Sequence, residues 1–236
     1  DNPVLIVYDH RTRATGAYLA GSKGHVDWVV RAVCMDLDTW GYSQCRIAIK
    51  SDQENSVKSL RDAIAQARSA PTAIINSTVR ESKSNGAVEK AIQRWQAQYR
   101  TMKIALEASL KRTISVKGKI SGWLTAWAAT ALNRYALGKD GRTAFQLVHG
   151  HKCSRPVARF GEKIHFKKSG SHQDKSESMW EDGIFLGMNA RSIDSIIATG
   201  DNIELARTVR ARPEADAWDV EALGKIPSVA EFMGVS

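Results

Sequence analysis

Residues 82–95 read SKSNGAVEKAIQRW, and they open the longest helix that the sequence predicts. Apolar residues recur at steps of four and three from Val88 to Leu106, which is the spacing of one buried helical face. A polar and then basic stripe follows the same rhythm one residue later, through Glu89, Gln93, Gln96, Arg100 and Lys103. We expect Asn85-Gly86 to form a tight start to this helix, because glycine allows a close approach and the first N–H groups of a helix can bind a phosphate.

The charge of the chain is unevenly distributed. The formal net charge is +9, but residues 80–175 carry 20 Lys and Arg against 6 Asp and Glu, whereas residues 176–236 carry 5 against 11. A basic excess in one part of a chain is typical of proteins that bind a polyanion, most often nucleic acid. A solubilising surface is the simpler explanation, and charge alone leaves it open.

Strands and helices alternate over the first 150 residues. Strands are predicted for PVLIVYD (3–9), residues 15–20, CRIAIKSD (45–52) and TAIINSTV (72–79). Helices are predicted for residues 24–40, 55–69 and 120–135, with a short helix from residue 144. This order predicts an α/β domain over residues 1–150, with helices packed on a mixed sheet.

Short strands separated by turn signals follow residue 151. The segments VARFGEKIHFKK, WEDGIFLGM, SIIATGD and IELARTVRAR predict a small antiparallel barrel or sheet over residues 151–212. Residues 213–236 read as an acidic tail, which we expect to be ordered only in part, through Trp218.

Composition excludes several classes of protein. No apolar run reaches the roughly 18 residues that a transmembrane helix needs, so no membrane partner is expected. Cys34, Cys45 and Cys153 are widely spaced and form no CxxC pair, which argues for a reducing compartment and against a disulfide framework or zinc knuckle. The chain begins without Met and shows no signal peptide, which is typical of a fragment whose beginning lies elsewhere.

Two carboxylates stand where a strand end and a helix start can meet. Asp52 ends a predicted strand, Glu89 lies in the first turns of the long helix, and 36 residues separate them. Carboxylates suit the hard cation Mg²⁺, and two such ions about 3.5–4 Å apart promote phosphodiester chemistry. Taken alone, each acid is better explained as a turn residue or a solvated helix residue, so the pair is a hypothesis.

A resemblance to a known family strengthens that hypothesis. STVRESKSNGAVEKAIQRW resembles the end of the catalytic core of retroviral and retrotransposon integrases, where Ser-x-x-Asn-Gly-x-x-Glu opens the helix that bears the last acid. VLIVYDHRTRATGAYLA resembles the second and third strands of that core. GKDGRTAFQLVHG, RPVARFGEKIHF, WEDGIFLGM and IIATGDNIELARTVR then follow in the order of Copia-type elements, so the resemblance spans roughly residues 3–220.

The resemblance implies an RNase H-like core followed by an SH3-like DNA-binding barrel. It implies DNA 3′-end processing and strand transfer, with Asp52 and Glu89 as catalytic ligands of a two-metal Mg²⁺ (or Mn²⁺) site. The implied partners are element-end and target DNA and further copies of the chain, in the nucleus or a retroelement particle. The DNA-binding candidates are Lys83, Asn85, Gly86, Lys90, Gln93, Arg100, Lys163, Lys167 and Lys168, and solvated helix residues remain the alternative for Lys83, Lys90 and Gln93.

The chain also departs from the family. The first catalytic Asp of integrases lies upstream of the strand that PVLIVYD resembles, so the resemblance accounts for two of three acids and leaves out one core strand. Asp9 is a further metal-ligand candidate, although it matches a turn residue, and Glu54 is a minor candidate because the usual Asp-Asn-Gly-x-Glu is changed here. Two other functions stay open, namely a non-catalytic DNA-binding remnant of an integrase and an RNase H-like nuclease.

Overall fold

The protein has a mixed α/β fold, as the sequence predicts. The structure, a computed structural model, describes residues 3–76, 82–153, 158–168 and 179–234. The first part comprises β1 (Val4–Tyr8), β2 (Thr15–Leu19), α1 (Asp27–Thr39), β3 (Ile47–Ser51), α2 (Asn55–Ala67), β4 (Thr72–Asn76), α3 (Ser82–Leu110), α4 (Lys119–Tyr135) and α5 (Ala144–His149). The second comprises β5 (Lys163–Lys167), β6 (Trp180–Met188), β7 (Ser195–Thr199), β8 (Asn202–Ala206), β9 (Val209–Ala211), a 3₁₀ turn (Glu214–Asp216), α6 (Val220–Lys225) and α7 (Val229–Phe232).

The strands of the first part form two small sheets instead of the single mixed sheet that we expected. β1 pairs with β2 as an antiparallel hairpin, and β3 pairs with β4 in parallel. Among the described residues, β1 and β3 share no ladder with each other, so each keeps one open edge. The RNase H-like arrangement therefore stays a prediction.

The hairpin nevertheless has the environment of an interior element. Leu5 and Val7 of β1 contact a hydrophobic cluster built mainly by α1 and α2. Val4 and Ile6 point the other way and contact Trp95 of α3 and its neighbours in α4. Because successive side chains of a strand point to opposite faces, α1 and α2 lie on one side of the hairpin and α3 and α4 on the other.

Helix α3 begins earlier than its sequence pattern predicts. It starts at Ser82, so Asn85-Gly86 lies within the first turns and not at the mouth of the helix. Gly86 does not have a positive φ, and an added Cβ there would meet no heavy atom within 4 Å. The expected tight, close-approach start was therefore wrong, because Gly86 needs neither unusual backbone geometry nor close packing. The apolar stripe is confirmed, with Trp95 and Leu106 buried.

The second part forms one open, five-stranded antiparallel sheet in the order β8-β7-β6-β5-β9. The end strands β8 and β9 share no ladder within the described residues, so the expected closed barrel is not formed there. Helix α4 packs directly on this sheet. At the bulge in β6, Gly187 has φ +133°, and a Cβ on it would lie 2.9 Å from the Trp127 ring.

A single hydrophobic cluster joins the sheet to the helices of the first part. It includes Leu106 of α3, Trp123, Leu124 and Trp127 of α4, and Ile164, Phe166, Phe185, Leu186 and Ile197 of the sheet. The Trp127 and Phe185 rings meet edge to face, with their centroids 5.7 Å apart. Because α3 and α4 contribute five of the 17 buried residues of this core, among them two tryptophans, the sheet buries its apolar face against the helices rather than against itself.

The segment after Pro213, which we expected to be only partly ordered, folds against the same core. Its Ala217, Leu223 and Ile226 are buried. The indole Nε1 of Trp123 donates to the Pro227 carbonyl oxygen at 2.8 Å, which fixes the segment onto α4. No helix in the described part of the chain is long and apolar enough to cross a membrane. All three cysteines are free thiols.

We expect the partly buried Asp36 of α1 to give the fold a pH-dependent stability. Its carboxylate accepts a 2.5 Å hydrogen bond from the Tyr18 hydroxyl. Burial raises the pKa of Asp36 to about 6, although the Tyr18 hydrogen bond and the charge of Arg191 oppose the shift. A carboxyl whose folded pKa exceeds its unfolded value stabilises the fold when protonated, and that stability is lost as the pH rises from about 4 through 6.

We therefore expect Asp36→Asn to raise the melting temperature by a few degrees at pH 7.5 and to have a smaller effect at pH 4.5. The reason is that the amide removes the cost of ionising a buried carboxyl. Thermal unfolding followed by circular dichroism at both pH values measures this difference. Asp38→Asn, at an exposed position of the same helix, is the control. Equal shifts at the two pH values would contradict the assignment.

Candidate nucleic-acid interface

A cavity of about 430 Å³ opens beside the first turns of α3. Four elements line it: α3, the β1–β2 hairpin, the C-terminal end of α4 with the loop that follows it, and the first residue of α5. The lining residues are Tyr8, Arg13, Thr15, Gly86, Ala87, Lys90, Ala91, Arg94, Leu132, Asn133, Ala136, Gly138 and Ala144. We call this space the α3 cavity.

Helix α3 contributes two cations to the cavity. Lys90 and Arg94 are four residues apart and therefore lie on the same face, above the small side chains of Ala87 and Ala91. Both cations are exposed, and neither makes an ion pair with any described residue. Their charges are therefore available to a ligand.

Arg13 supplies a third cation from the opposite wall. It lies in the β1–β2 turn with φ 65°, a left-handed conformation that is uncommon for a residue with a side chain. Its Nη2 donates to Asp140 Oδ1 at 2.8 Å and to the Arg142 carbonyl oxygen at 3.0 Å. Hydrogen bonds from Arg13 and Arg142 lower the pKa of Asp140 to about 2, so this carboxylate stays ionised and holds Arg13 in place.

Glycine at position 138 makes that placement possible. A Cβ on Gly138 would lie 1.9 Å from Nη1 of Arg13, so any side chain there would displace the guanidinium. Among the described residues, the lining contains three cations, one tyrosine hydroxyl and no carboxylate. Such a lining favours an anionic ligand, and Lys90 and Arg94 make no ion pair with the described part of the chain that a ligand would have to replace.

Asp52 and Glu89 are placed on the elements that the sequence predicts. Asp52 directly follows β3, and Glu89 is an exposed residue of the second turn of α3. Glu89 projects from a different face of α3 than Lys90 does, because successive helical residues are about 100° apart. Among the described residues, no three His, Cys, Asp or Glu side chains form a group that could hold a metal ion. Mg²⁺ or Mn²⁺ binding by Asp52 and Glu89 therefore stays a prediction.

Asp9, directly after β1, makes hydrogen bonds that explain its presence there without any metal. Its carboxylate accepts hydrogen bonds from the backbone N–H and the hydroxyl of Thr12, and from the Arg11 N–H at 3.2 Å. The Tyr42 hydroxyl donates to the same carboxylate at 2.9 Å. Four donors surround this side chain, so the geometry favours the turn role over the ligand role.

The remaining candidates on α3 fall into two groups. Gly86 and Lys90 line the α3 cavity, whereas Gln93 and Arg100 are exposed on the Glu89 side of the helix. The side chains of Lys83 and Asn85 lie outside the described residues.

The basic residues of β5 are less available than the sequence suggests. Lys163 lies 3.6 Å from Asp219 and 3.9 Å from Asp182, and Lys168 lies 3.2 Å from Glu181. Lys167 is exposed and makes no ion pair within the described chain. Two of the three predicted contacts in this module therefore already have carboxylate partners.

Sequence reasoning missed Tyr8, Arg13 and Arg94 as members of the site. Arg94 carried a local signal, because it stands four residues after Lys90 on one helical face. Tyr8 and Arg13 carried none, because they lie 74 and 69 residues before the start of α3 and reach the cavity only through the packing of the hairpin on that helix.

Comparisons with known proteins find a remote similarity to a solved structure. No protein-family model matches the chain, and no curated protein matches it. Among solved structures, it is similar to a chain in the cryo-EM structure of the simian T-cell lymphotropic virus intasome in complex with the PP2A regulatory subunit B56 gamma. The TM-score is 0.46 and the sequence identity 11%, over 89% of this chain and 72% of the other. This likeness is too remote to assign a family, so the proposed function rests on the residues of the site.

Proposed function

We propose that the protein binds DNA through the α3 cavity and the exposed face of α3, and that it acts in retroelement integration. The observation that carries the proposal is the α3 cavity, whose described lining residues include three cations and no carboxylate. Contacts to phosphate oxygens supply most of the affinity of such an interface and carry no sequence information.

The chemical part of the proposal concerns Asp52 and Glu89. In an integrase-type reaction they would hold Mg²⁺ or Mn²⁺, which would support the attack of a hydroxyl on a phosphodiester. In that reaction the side chains of the protein would position the DNA. Lys90 and Arg94 would hold the phosphate backbone beside the turn that carries Glu89. DNA binding without catalysis is the second candidate, and the α3 cavity supports it equally well.

Binding is tested first, by fluorescence anisotropy of a labelled DNA duplex at several salt concentrations. We expect the affinity to fall steeply as salt rises, since each neutralised phosphate releases counterions. Affinity that does not change with salt would contradict phosphate recognition. Cleavage of RNA–DNA hybrid in preference to duplex DNA would favour an RNase H-like nuclease instead.

We expect little or no strand transfer from these 236 residues, because they offer two of the three acids of an integrase-type site. The assay joins a labelled element end to a target duplex in Mg²⁺, and Glu89→Gln is the matched variant. Robust joining that Glu89→Gln abolishes would show that the site is already complete and would overturn this prediction.

The open edges of β1 and β3 suggest where a third acid would enter. Both strands pack on the hydrophobic cluster of α1 and α2. A strand between them could pair with both edges and end in an aspartate near Asp52. If the coding sequence upstream of Asp1 encodes such a strand, adding it is expected to raise strand transfer by at least about tenfold, because even the outer-shell partners of metal ligands are worth about 10–100-fold.

A further inference from the structure

The C-terminal segment, residues 213–234, lies against basic side chains from earlier parts of the chain. It contains five acids and one lysine. Three of these acids pair with bases outside the segment: Glu214 with Arg159, Asp219 with Lys163, and Glu231 with Lys119. The other two, Asp216 and Glu221, are exposed and make no ion pair within the described residues. The acids of this segment thus divide into paired and unpaired members.

The contact of Glu214 with Arg159 has the geometry of phosphate recognition. Nη1 and Nη2 of Arg159 donate to the two carboxylate oxygens of Glu214 at 3.1 and 2.6 Å. The guanidinium carbon lies 4.9 Å from the centroid of the Trp218 ring, whose Nε1 donates to the same carboxylate. Arginine binds phosphate through the same pair of parallel hydrogen bonds, so the Arg159 guanidinium has the geometry to accept a phosphate in place of Glu214.

Lys163 is covered by the next part of the segment. Its Nζ lies 3.6 Å from Asp219, and its backbone N–H donates to the Ala217 carbonyl oxygen at 2.8 Å. The segment therefore crosses the start of β5, the strand on which the sequence places DNA-binding lysines.

We propose that Arg159 and Lys163 form a second phosphate-binding surface for DNA, and that Glu214 and Asp219 occupy it in the free protein. The acidic segment then competes with DNA for the two cations. This inference rests on the proposed function, because it assigns a further contact to the same partner.

The exchange needs no unfolding of the segment. The side chain of Glu214 is 70% exposed and that of Arg159 50% exposed, so the carboxylate can turn away while buried Ala217 and Ile226 hold the segment in place. Glu162, which also accepts from Arg159 Nε at 3.2 Å, keeps the guanidinium oriented after Glu214 has left. Surface ion pairs contribute little to stability, so a phosphodiester can replace them at small cost.

Two double variants of the full chain separate local competition from a change in net charge. Glu214→Gln with Asp219→Asn removes the paired acids, and Asn at position 219 still caps α6, where Asp219 accepts from the Ala222 N–H. Asp216→Asn with Glu221→Gln removes two unpaired acids of the same segment and is the matched control. The probe is a DNA duplex of about 20 base pairs, which is roughly two helical turns. Its binding is measured at several salt concentrations.

We expect the first variant to bind DNA about three- to tenfold more tightly, with a steeper dependence on salt by about one to two counterions. The reason is that Arg159 and Lys163 each lose one carboxylate partner, while Glu162 and Asp182 stay in place. The control is expected to bind like the wild type. Equal gains in both variants would show a net-charge effect only and overturn the inference, as would no gain in either. Failure of all three proteins to bind DNA would contradict the proposed function together with the inference, whereas equal binding by all three contradicts the inference alone.

Discussion

Leu124→Ala is expected to lower the free energy of unfolding by about 3–5 kcal/mol. Leu124 has no exposed surface and lies in the cluster that joins α3, α4 and the five-stranded sheet. Its truncation removes buried apolar contacts and leaves a cavity that the packed rings of Trp123 and Trp127 cannot fill. Since domains are stable by about 5–15 kcal/mol, this loss is a large fraction of the total. Urea unfolding followed by tryptophan fluorescence and circular dichroism measures it.

Leu137→Ala is the matched control for this prediction. The same atoms are removed, but Leu137 is 65% exposed, and we expect a loss below about 0.5 kcal/mol. The shared cluster also requires that one cooperative transition be seen by both probes. Separate transitions, with only one of them shifted by Leu124→Ala, would show that the sheet has a core of its own and would contradict the shared core.

Reversing two charges in the α3 cavity, by Lys90→Glu with Arg94→Glu, is expected to weaken DNA binding about 30-fold or more near 0.15 M salt. Both cations have no ion-pair partner among the described residues, so the variant breaks no internal contact of that kind. It replaces attraction to phosphate by repulsion on one wall of the cavity. We also expect the dependence of affinity on salt to become shallower by about two counterions.

The control reverses two charges on the other side of the β1–β2 hairpin. Arg31 of α1 and Lys58 of α2 make no ion pair with described residues, and their helices pack on the face of β1 opposite to α3. Arg31→Glu with Lys58→Glu changes the net charge by the same amount, and we expect less than about a threefold loss of affinity. Equal losses in the two variants would mean that DNA responds to overall charge and not to the α3 cavity.

Much of the secondary structure was accessible from local patterns. The three-and-four spacing of apolar residues predicted α1 and α2, the Trp- and Ala-rich run predicted α4, and alternation predicted the strand around residues 47–51. The start of α3 was predicted too late, because Asn-Gly is a strong turn signal that a long amphipathic helix overrode through its packing on α4 and β1. Local propensity is a weak guide wherever tertiary contacts decide.

Only those residues of the candidate site whose positions follow from local sequence patterns were predicted. Lys90 and Glu89 follow from the periodicity of α3, and Asp52 follows from its place after an alternating strand. Arg13 could not be found in this way, because its position depends on a left-handed turn, on Asp140 and on the absence of a side chain at Gly138. No sequence period connects residues so far apart.

The sequence by itself determined the mixed α/β class, the order of helices and strands, the buried stripe of α3 and the concentration of positive charge in the middle of the chain. These properties depend on neighbouring residues, whose spacing and charge can be read directly. Only the tertiary structure decided which cations are free and which are paired. It joined Arg13 to Lys90 and Arg94, and it placed Glu214 and Asp219 on Arg159 and Lys163. Electrostatic pairing acts through space over a few ångströms, so it depends on how distant segments pack and not on their order in the chain.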